Sequence, residues 1–199
     1  YELESEDAPL IINGVVYNEM KGAYSSPDEV LETAIEAALF PDNTYSKNSG
    51  GNPDHIPELT YEAYLDFYHK YYHPCNSYIY LYGDMDVEER LDWMDRNYLS
   101  QFEPAEIDSS IEKQKPFDEI RYIETEYPIT DDDPEENNTY LSYNKVVADV
   151  LDRELYQAFS VLDYVLVSAP GAPIRQALID AGIGQDVYGS FEEGMLQPF

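Results

Sequence analysis

Gly14-Val15-Val16-Tyr17-Asn18-Glu19-Met20-Lys21-Gly22 joins a β-favouring triplet, Val15 to Tyr17, to a helix-favouring run of Glu19, Met20, Lys21 and Ala23. The stretch therefore reads as a strand that turns into a helix, with Glu19 near the junction. On spacing alone, a glutamate at such a place is a solvated helix residue. Downstream, start and stop signals organise the chain. Ser26-Pro27-Asp28-Glu29 is a helix start, with Ser26 able to cap, Pro27 suited to the first position and Glu29 able to complete a capping box. Leu31, Ile35, Ala38 and Leu39 then line one face until Pro41.

A second helix begins at Thr60, carries Tyr64, Leu65, Tyr68 and Tyr72 on one face, and is stopped by Pro74. Ser77 to Tyr82, rich in Tyr and Ile, reads as a buried strand broken by Gly83. Asp86 with Glu89 repeats the capping box, and Val87, Leu91, Met94 and Tyr98 form a helical stripe expected to face a core. From about Glu103 to Pro116 the apolar period is lost and charge accumulates, the pattern of a linker.

Beyond it, Ile120 to Tyr127 and Thr139 to Tyr143 read as two strands around Thr130-Asp131-Asp132-Asp133-Pro134-Glu135-Glu136-Asn137. That acidic run lacks the glycine (Glu136 stands at the sixth position) and the bidentate glutamate (Ser142 at the twelfth) of a calcium loop, so a solvated hairpin loop is expected. Asp149 to Ser168 carries Leu151, Leu155, Phe159, Leu162 and Leu166 at helical spacing and ends at Pro170-Gly171. Pro173 to Ala181 is a shorter helix with Gly182 as its C-terminal cap, and Gln185 to Phe191 is a last strand.

The chain has 199 residues, 43% of them hydrophobic, enough for one or two small cores. Its formal charge of −30, from 41 acidic against 11 basic residues, argues against nucleic acid as a partner. Such a charge could steer basic peptides toward the protein, or it could be a solvated surface that aids solubility. No apolar run is long enough to span a bilayer and no signal peptide is present, so no membrane partner is expected. The single Cys75 cannot form an internal disulfide, which favours a reducing, cytoplasmic setting. Its neighbours place it in a connector between helix and strand, not in a nucleophile's position.

Gly14 to Gly22, followed by Asn43-Thr44-Tyr45, Ser49-Gly50-Gly51, Ile56-Pro57-Glu58-Leu59-Thr60 and Tyr72-His73-Pro74-Cys75-Asn76, resembles the presequence-protease branch of the insulinase/pitrilysin-type zinc metallopeptidases. Gly171 to Gly184 resembles the early part of that family's second peptidase-like domain. The resemblance implies an α+β fold of mostly antiparallel sheet with helices packed on one face. In it, residues 1–102 would be the C-terminal half of the first peptidase-like domain, 103–118 a linker, and 119–199 the N-terminal half of the second. It also implies that Glu19 is a zinc ligand in the complete protein. In the family an inverted His-x-x-Glu-His motif supplies two more ligands and the water-activating glutamate; it would lie upstream of Tyr1, and no catalytic residue is assigned here.

His69-Lys70-Tyr71-Tyr72-His73 has the same spacing but places Tyr72 where the glutamate would stand, and a phenol with an ordinary pKa near 10 is a poor base. This pair is expected to be the end of a tyrosine-rich helix, and His55 a loop residue between Pro53 and Pro57. The missing initiator Met and the uncharged end at Gln197-Pro198-Phe199 suggest an internal segment. The expected function is thus a piece of a zinc metalloendopeptidase that degrades unstructured oligopeptides in a closed chamber. By itself the piece would be inactive, bind zinc weakly or not at all, need the rest of its parent chain, and self-associate through open sheet edges. The alternative is a non-catalytic domain that binds peptides or a partner chain.

Overall fold

The computed structural model describes residues 1–3, 5–184 and 186–199. Among the described residues six α-helices carry the architecture: α1 (Val15–Ala23), α2 (Pro27–Leu39), α3 (Tyr61–Tyr71), α4 (Val87–Asn97), α5 (Arg153–Asp163) and α6 (Pro173–Asp180). The residues group into two compact units, one of Tyr1–Met20 with Gly51–Ile111, the other of Lys21–Gly50 with Glu112–Phe199.

The expected α+β fold with a mostly antiparallel sheet is not what the chain forms. Among the described residues the sole strand-like pairing is one antiparallel bridge, in which Glu2 and Ile11 exchange backbone hydrogen bonds of 2.8 and 3.0 Å. The physical reason is that a strand satisfies its backbone only through a neighbour, whereas a helix does so within itself. Ser77–Tyr82 has the composition of a strand but no ladder partner, and it is exposed rather than buried, with Tyr80 at 85% of full exposure. Gly83 does break the segment, at φ 134°.

The expected strands 120–127 and 139–143 are likewise unpaired. They are drawn together by side chains instead: the Tyr127 hydroxyl donates to the Asn138 carbonyl, and the Tyr127 and Tyr140 rings meet edge to face at 5.6 Å. Of the strand expected at 185–191, Gln185 lies outside the described residues, and 186–191 forms no ladder. Val15–Tyr17, expected as strand, is the first turn of α1, opened by the Asn18 amide donating to the Gly14 carbonyl at 2.9 Å.

The helices follow their local signals more closely. The Thr60 hydroxyl caps α3 at 3.1 Å, Asp86 caps α4 at 3.0 Å and Asp152 caps α5 at 3.1 Å, each accepting from a first-turn amide. At Ser26 the backbone is extended and Pro27 takes the first helical position, but the serine side chain makes no capping bond. Glu29 does not fold back on the helix start; it accepts from the Asn48 amide. α5 starts at Arg153 rather than Asp149, because Asp149 closes a turn on Leu151, and a wider π-helical turn extends it over Tyr164–Ser168. After α6, Gly182 at φ 66° lets its own amide reach Ile179 and the Ile183 amide reach Leu178, the paired bonds of a Schellman ending.

Little of the apolar surface is covered. Among the described residues Met20, Phe40 and Ala172 are the buried hydrophobic side chains, with Pro198 also enclosed. The chain presents 16350 Å² to solvent, where a well-packed monomer of this mass presents roughly 9,600 Å². The stripe of Val87, Leu91 and Tyr98 expected to face a core is about half exposed along its length, as is most of the aromatic face of α3.

In the second unit, α2 ends at Phe40, whose ring meets Tyr45 at 5.6 Å and Phe199 at 5.9 Å, both edge to face. Phe191 lies against Tyr156 and Phe159 of α5. A Cβ on Gly189 would sit 3.0 Å from a Val167 methyl, so a larger residue there would have to push Val167 aside.

Candidate functional site

Glu19 lies in α1 with an exposed side chain, and Met20 beside it is buried. Asn13, preceding the helix, accepts from the Asn18 side-chain amide at 2.7 Å and donates to the Glu2 carboxylate, which fixes the entry to α1. Glu19 is thus presented from the middle of α1. A catalytic zinc takes three protein ligands and keeps one open position. Among the described residues, no group of three or more His, Cys, Asp or Glu side chains converges, at Glu19 or elsewhere.

The three histidines are each engaged locally. α3 ends at Tyr71, so His69 stands in its last turn while His73 is extended beyond it at φ −125° and ψ 143°. The single helical face that would bring two imidazoles one turn apart does not exist. His73 Nδ1 accepts from the Cys75 amide at 3.1 Å, capping the short turn Pro74–Asn76, and its ring meets Phe102 edge to face at 5.2 Å. His55 pairs with Glu58 at 3.0 Å. Cys75 is an exposed free thiol within that same turn.

The acidic run closes upon itself. Asp133 accepts from both the amide and the hydroxyl of Thr130 at 2.8 Å, and these bonds hold its carboxyl below the ordinary range. Its lone pairs are thereby committed to a turn, as a solvated loop requires.

One concave feature is acidic. An open cleft of about 550 Å³ in the second unit is lined on one side by Glu29, Glu32 and Glu36, one and two turns apart along α2. Tyr45, Lys47 and Asn48 line the other side. Burial raises the Glu36 carboxyl above its ordinary value, and the neighbouring charges of Glu32, Glu192 and Glu29 push it the same way. The Tyr45 hydroxyl accepts from the Leu196 amide at 3.1 Å, which ties this wall to the C-terminal segment. A cleft with three carboxylates and one ammonium attracts cationic groups and repels anions.

The feature that the charge and periodicity of the sequence conceal is Gln114, the buried polar side chain of the second unit. It lies where apolar periodicity is lost, and an isolated glutamine in a charged segment carries no periodic signal.

Comparison with known proteins accounts for the motif order. The family described as the Peptidase M16 inactive domain matches residues 58–197. Protein HypA of Clostridium perfringens is 47% identical over 197 residues, covering 99% of this chain and 20% of that protein. Presequence protease 1, chloroplastic/mitochondrial, of Arabidopsis thaliana is 38% identical over 203 residues, covering 100% of this chain and 19% of that protein. The mitochondrial presequence protease of Danio rerio is 35% identical over 181 residues, covering 90% of this chain and 18% of that protein. The chain therefore spans about a fifth of the length of these relatives. Glu19 falls outside the family match but inside the span shared with HypA and the Arabidopsis protein, since those likenesses run over nearly the whole chain. With likeness sustained from the Gly14–Gly22 motif through the Gly171–Gly184 motif, the chain belongs to the peptidase M16 family of insulinase-type proteins.

Proposed function

We propose that this chain is part of a zinc-dependent metalloendopeptidase that degrades unstructured oligopeptides within a closed chamber, and that Glu19 is the one zinc ligand it contributes. The observation that carries this reading is the likeness along the whole chain to a protein named presequence protease. The two histidine ligands and the water-activating glutamate belong to chain outside these residues, in proteins about five times as long. When bound, such a zinc supplies an acidified water and a polarised carbonyl. Of the residues here, Glu19 would balance part of its charge from the middle of α1, while 1–102 and 119–199 belong to two successive peptidase-like domains joined through 103–118.

The acidic cleft on α2 and the net charge of −30 support basic peptides as the substrates drawn toward the protein. The same charge argues against nucleic acid as a partner. A reducing, cytoplasmic setting is the proposed location, supported by the single cysteine.

A second reading is favoured by one specific observation, that the family matched over 58–197 is described as an inactive domain. On that reading these residues bind peptide or support the catalytic part without touching the reacting atoms. The two readings share most of the chain and differ at Glu19.

The purified chain, incubated with zinc and a quenched fluorescent peptide, is expected to give no chelator-sensitive turnover; rates of roughly 1 per second or more would overturn the reading. In the full-length parent, Glu19→Gln keeps the side-chain shape but removes the anionic ligand. Loss of zinc and of peptide cleavage with the helical spectrum retained is expected. Full zinc occupancy and normal turnover would assign the parent's third ligand elsewhere and leave Glu19 in a non-catalytic role.

A further inference from the structure

Four stretches far apart in sequence meet in the second unit: the end of α2 with the turn after it, residues 112–115, residues 147–150, and the C-terminal segment 196–199. Val147 and Val150 donate to the carbonyls of Pro198 and Leu196, each at 3.0 Å, so two of the stretches already pair through their backbones. Phe40 and Pro198 are fully enclosed at this junction, and Phe199 closes on Phe40. Residues 112–115 bring no large apolar side chain to it. They are held by polar groups.

The hold centres on Gln114, 7% exposed. Its Oε1 accepts from the Asp42 amide at 3.0 Å, and its Nε2 donates to the Asp42 carboxylate at 2.7 Å, so one residue is gripped through both backbone and side chain. The Gln114 amide donates to Gln197 Oε1 at 2.6 Å, and Gln197 Nε2 returns a bond to the Gln114 carbonyl at 3.2 Å. The Gln197 carboxamide thus imitates one rung of a β-ladder on the Gln114 backbone. Asn43 donates to the Glu112 carbonyl at 3.1 Å, and Lys113 pairs with Asp149. Among the described residues no buried side-chain polar atom is left without a partner, so the clamp is complete.

We infer that residues 112–115 form a detachable strap, latched by Gln114 over the Phe40–Pro198–Phe199 cluster and separable from it without unfolding the helices. The argument rests on what holds each part. The enclosed aromatic cluster does not depend on the strap for its contacts, because Phe40 meets Tyr45 and Phe199 directly. The strap's bonds all have solvent substitutes: Asp42, Gln197, Asn43 and Asp149 lie at or near the surface and exchange a protein partner for water on release. A segment held by apolar burial would instead expose its own side chains on leaving. Tyr45 belongs to both the aromatic cluster and the acidic cleft, so the cleft wall it forms is expected to stay in place when the strap undocks.

The bond after Lys113 makes the strap readable by trypsin, which needs an undocked backbone to cut there, whereas Lys115 precedes Pro116 and resists the enzyme in any state. In the wild-type chain the Lys113 site is expected to be cleaved at least tenfold more slowly than in Gln114→Ala, while cutting after Lys70 and Arg153 keeps its rate. Gln114→Glu separates latch from bulk. At pH 8 the carboxylate cannot donate to Asp42 and repels it, so cleavage rises as in the alanine variant. Near pH 5 partial protonation restores a donor, so protection measured by hydrogen exchange over 112–115 recovers in part. Equal cleavage after Lys113 in wild type and Gln114→Ala would overturn the proposal. Loss of helical circular dichroism in Gln114→Ala would overturn it equally, since a detachable strap leaves α2 and α5 intact.

Discussion

On α2, Glu36 follows Glu32 by four residues and Glu29 by seven, and its carboxyl is pushed above the ordinary value first by burial and then by Glu32, Glu192 and Glu29. A raised pKa in the folded state means that folding disfavours the ionised form. Above the raised value the full cost is present; as pH falls through it toward 4.5, the side chain takes a proton and the cost disappears. Glu36→Gln is therefore expected to stabilise the second unit at neutral pH by about 0.5 kcal/mol, a figure kept small because the carboxyl is still largely in water. Thermal denaturation of both proteins between pH 4 and 8 should show melting temperatures that coincide at the acid end and separate upward. A difference that grows toward acid would reverse the assignment. Asp149 has the opposite sign: its bonds from Lys113 and the Leu151 amide lower its carboxyl, so its contribution is present at neutral pH and lost in acid.

Individual residues differ in how far the sequence reveals them. Glu19 stands out because a nine-residue motif surrounds it, whereas Gln114 acquires its character from Asp42 and Gln197, 72 and 83 residues away. No local pattern encodes that.

The same distinction governs the elements. Caps act over three or four residues, and Thr60, Asp86 and Gly182 perform as their positions suggest. Strands need a partner, and the segments at 77–82, 120–127 and 139–143 have strand composition without a ladder. Composition alone cannot distinguish a strand from an extended segment whose backbone is left to water. Ser26 shows the limit within helices, since its side chain makes no capping bond although Pro27 fixes the start. Two substitutions separate these cases. Asp86→Ala is expected to cost α4 about 1 kcal/mol, because the Glu89 amide loses its acceptor and Glu88 and Glu89 alone remain to favour the helix N-terminus. Ser26→Ala should change stability by less than about 0.3 kcal/mol, since no side-chain bond is removed. Denaturant titrations followed by circular dichroism test the pair, and equal losses would mean that the Ser26 hydroxyl caps in solution.

At the scale of the molecule, uncovered apolar surface dominates. Tyr78, Tyr80 and Tyr82 are almost fully exposed on an extended backbone, and Tyr64, Phe67 and Tyr72 are exposed on or just after α3. Patches of this extent mark surfaces that other chains cover, and an unpaired extended backbone offers hydrogen bonds to a second one. The charge of −30 opposes close approach of two copies. That repulsion is screened within about 8 to 10 Å at physiological salt, whereas apolar burial and backbone pairing act at contact and survive screening. Association of the isolated chain is therefore expected to strengthen from low to high salt. Paired Tyr78→Ser and Tyr80→Ser substitutions, which leave the helices untouched, should weaken it. Light scattering and sedimentation across a salt series measure both effects. A monomer at every salt concentration with one cooperative unfolding transition would mean that the exposed tyrosines tolerate water without a partner. Association unchanged by the substitutions would move the contact to the faces of α3 and α4, where Phe67 and Leu91 are the side chains to remove next.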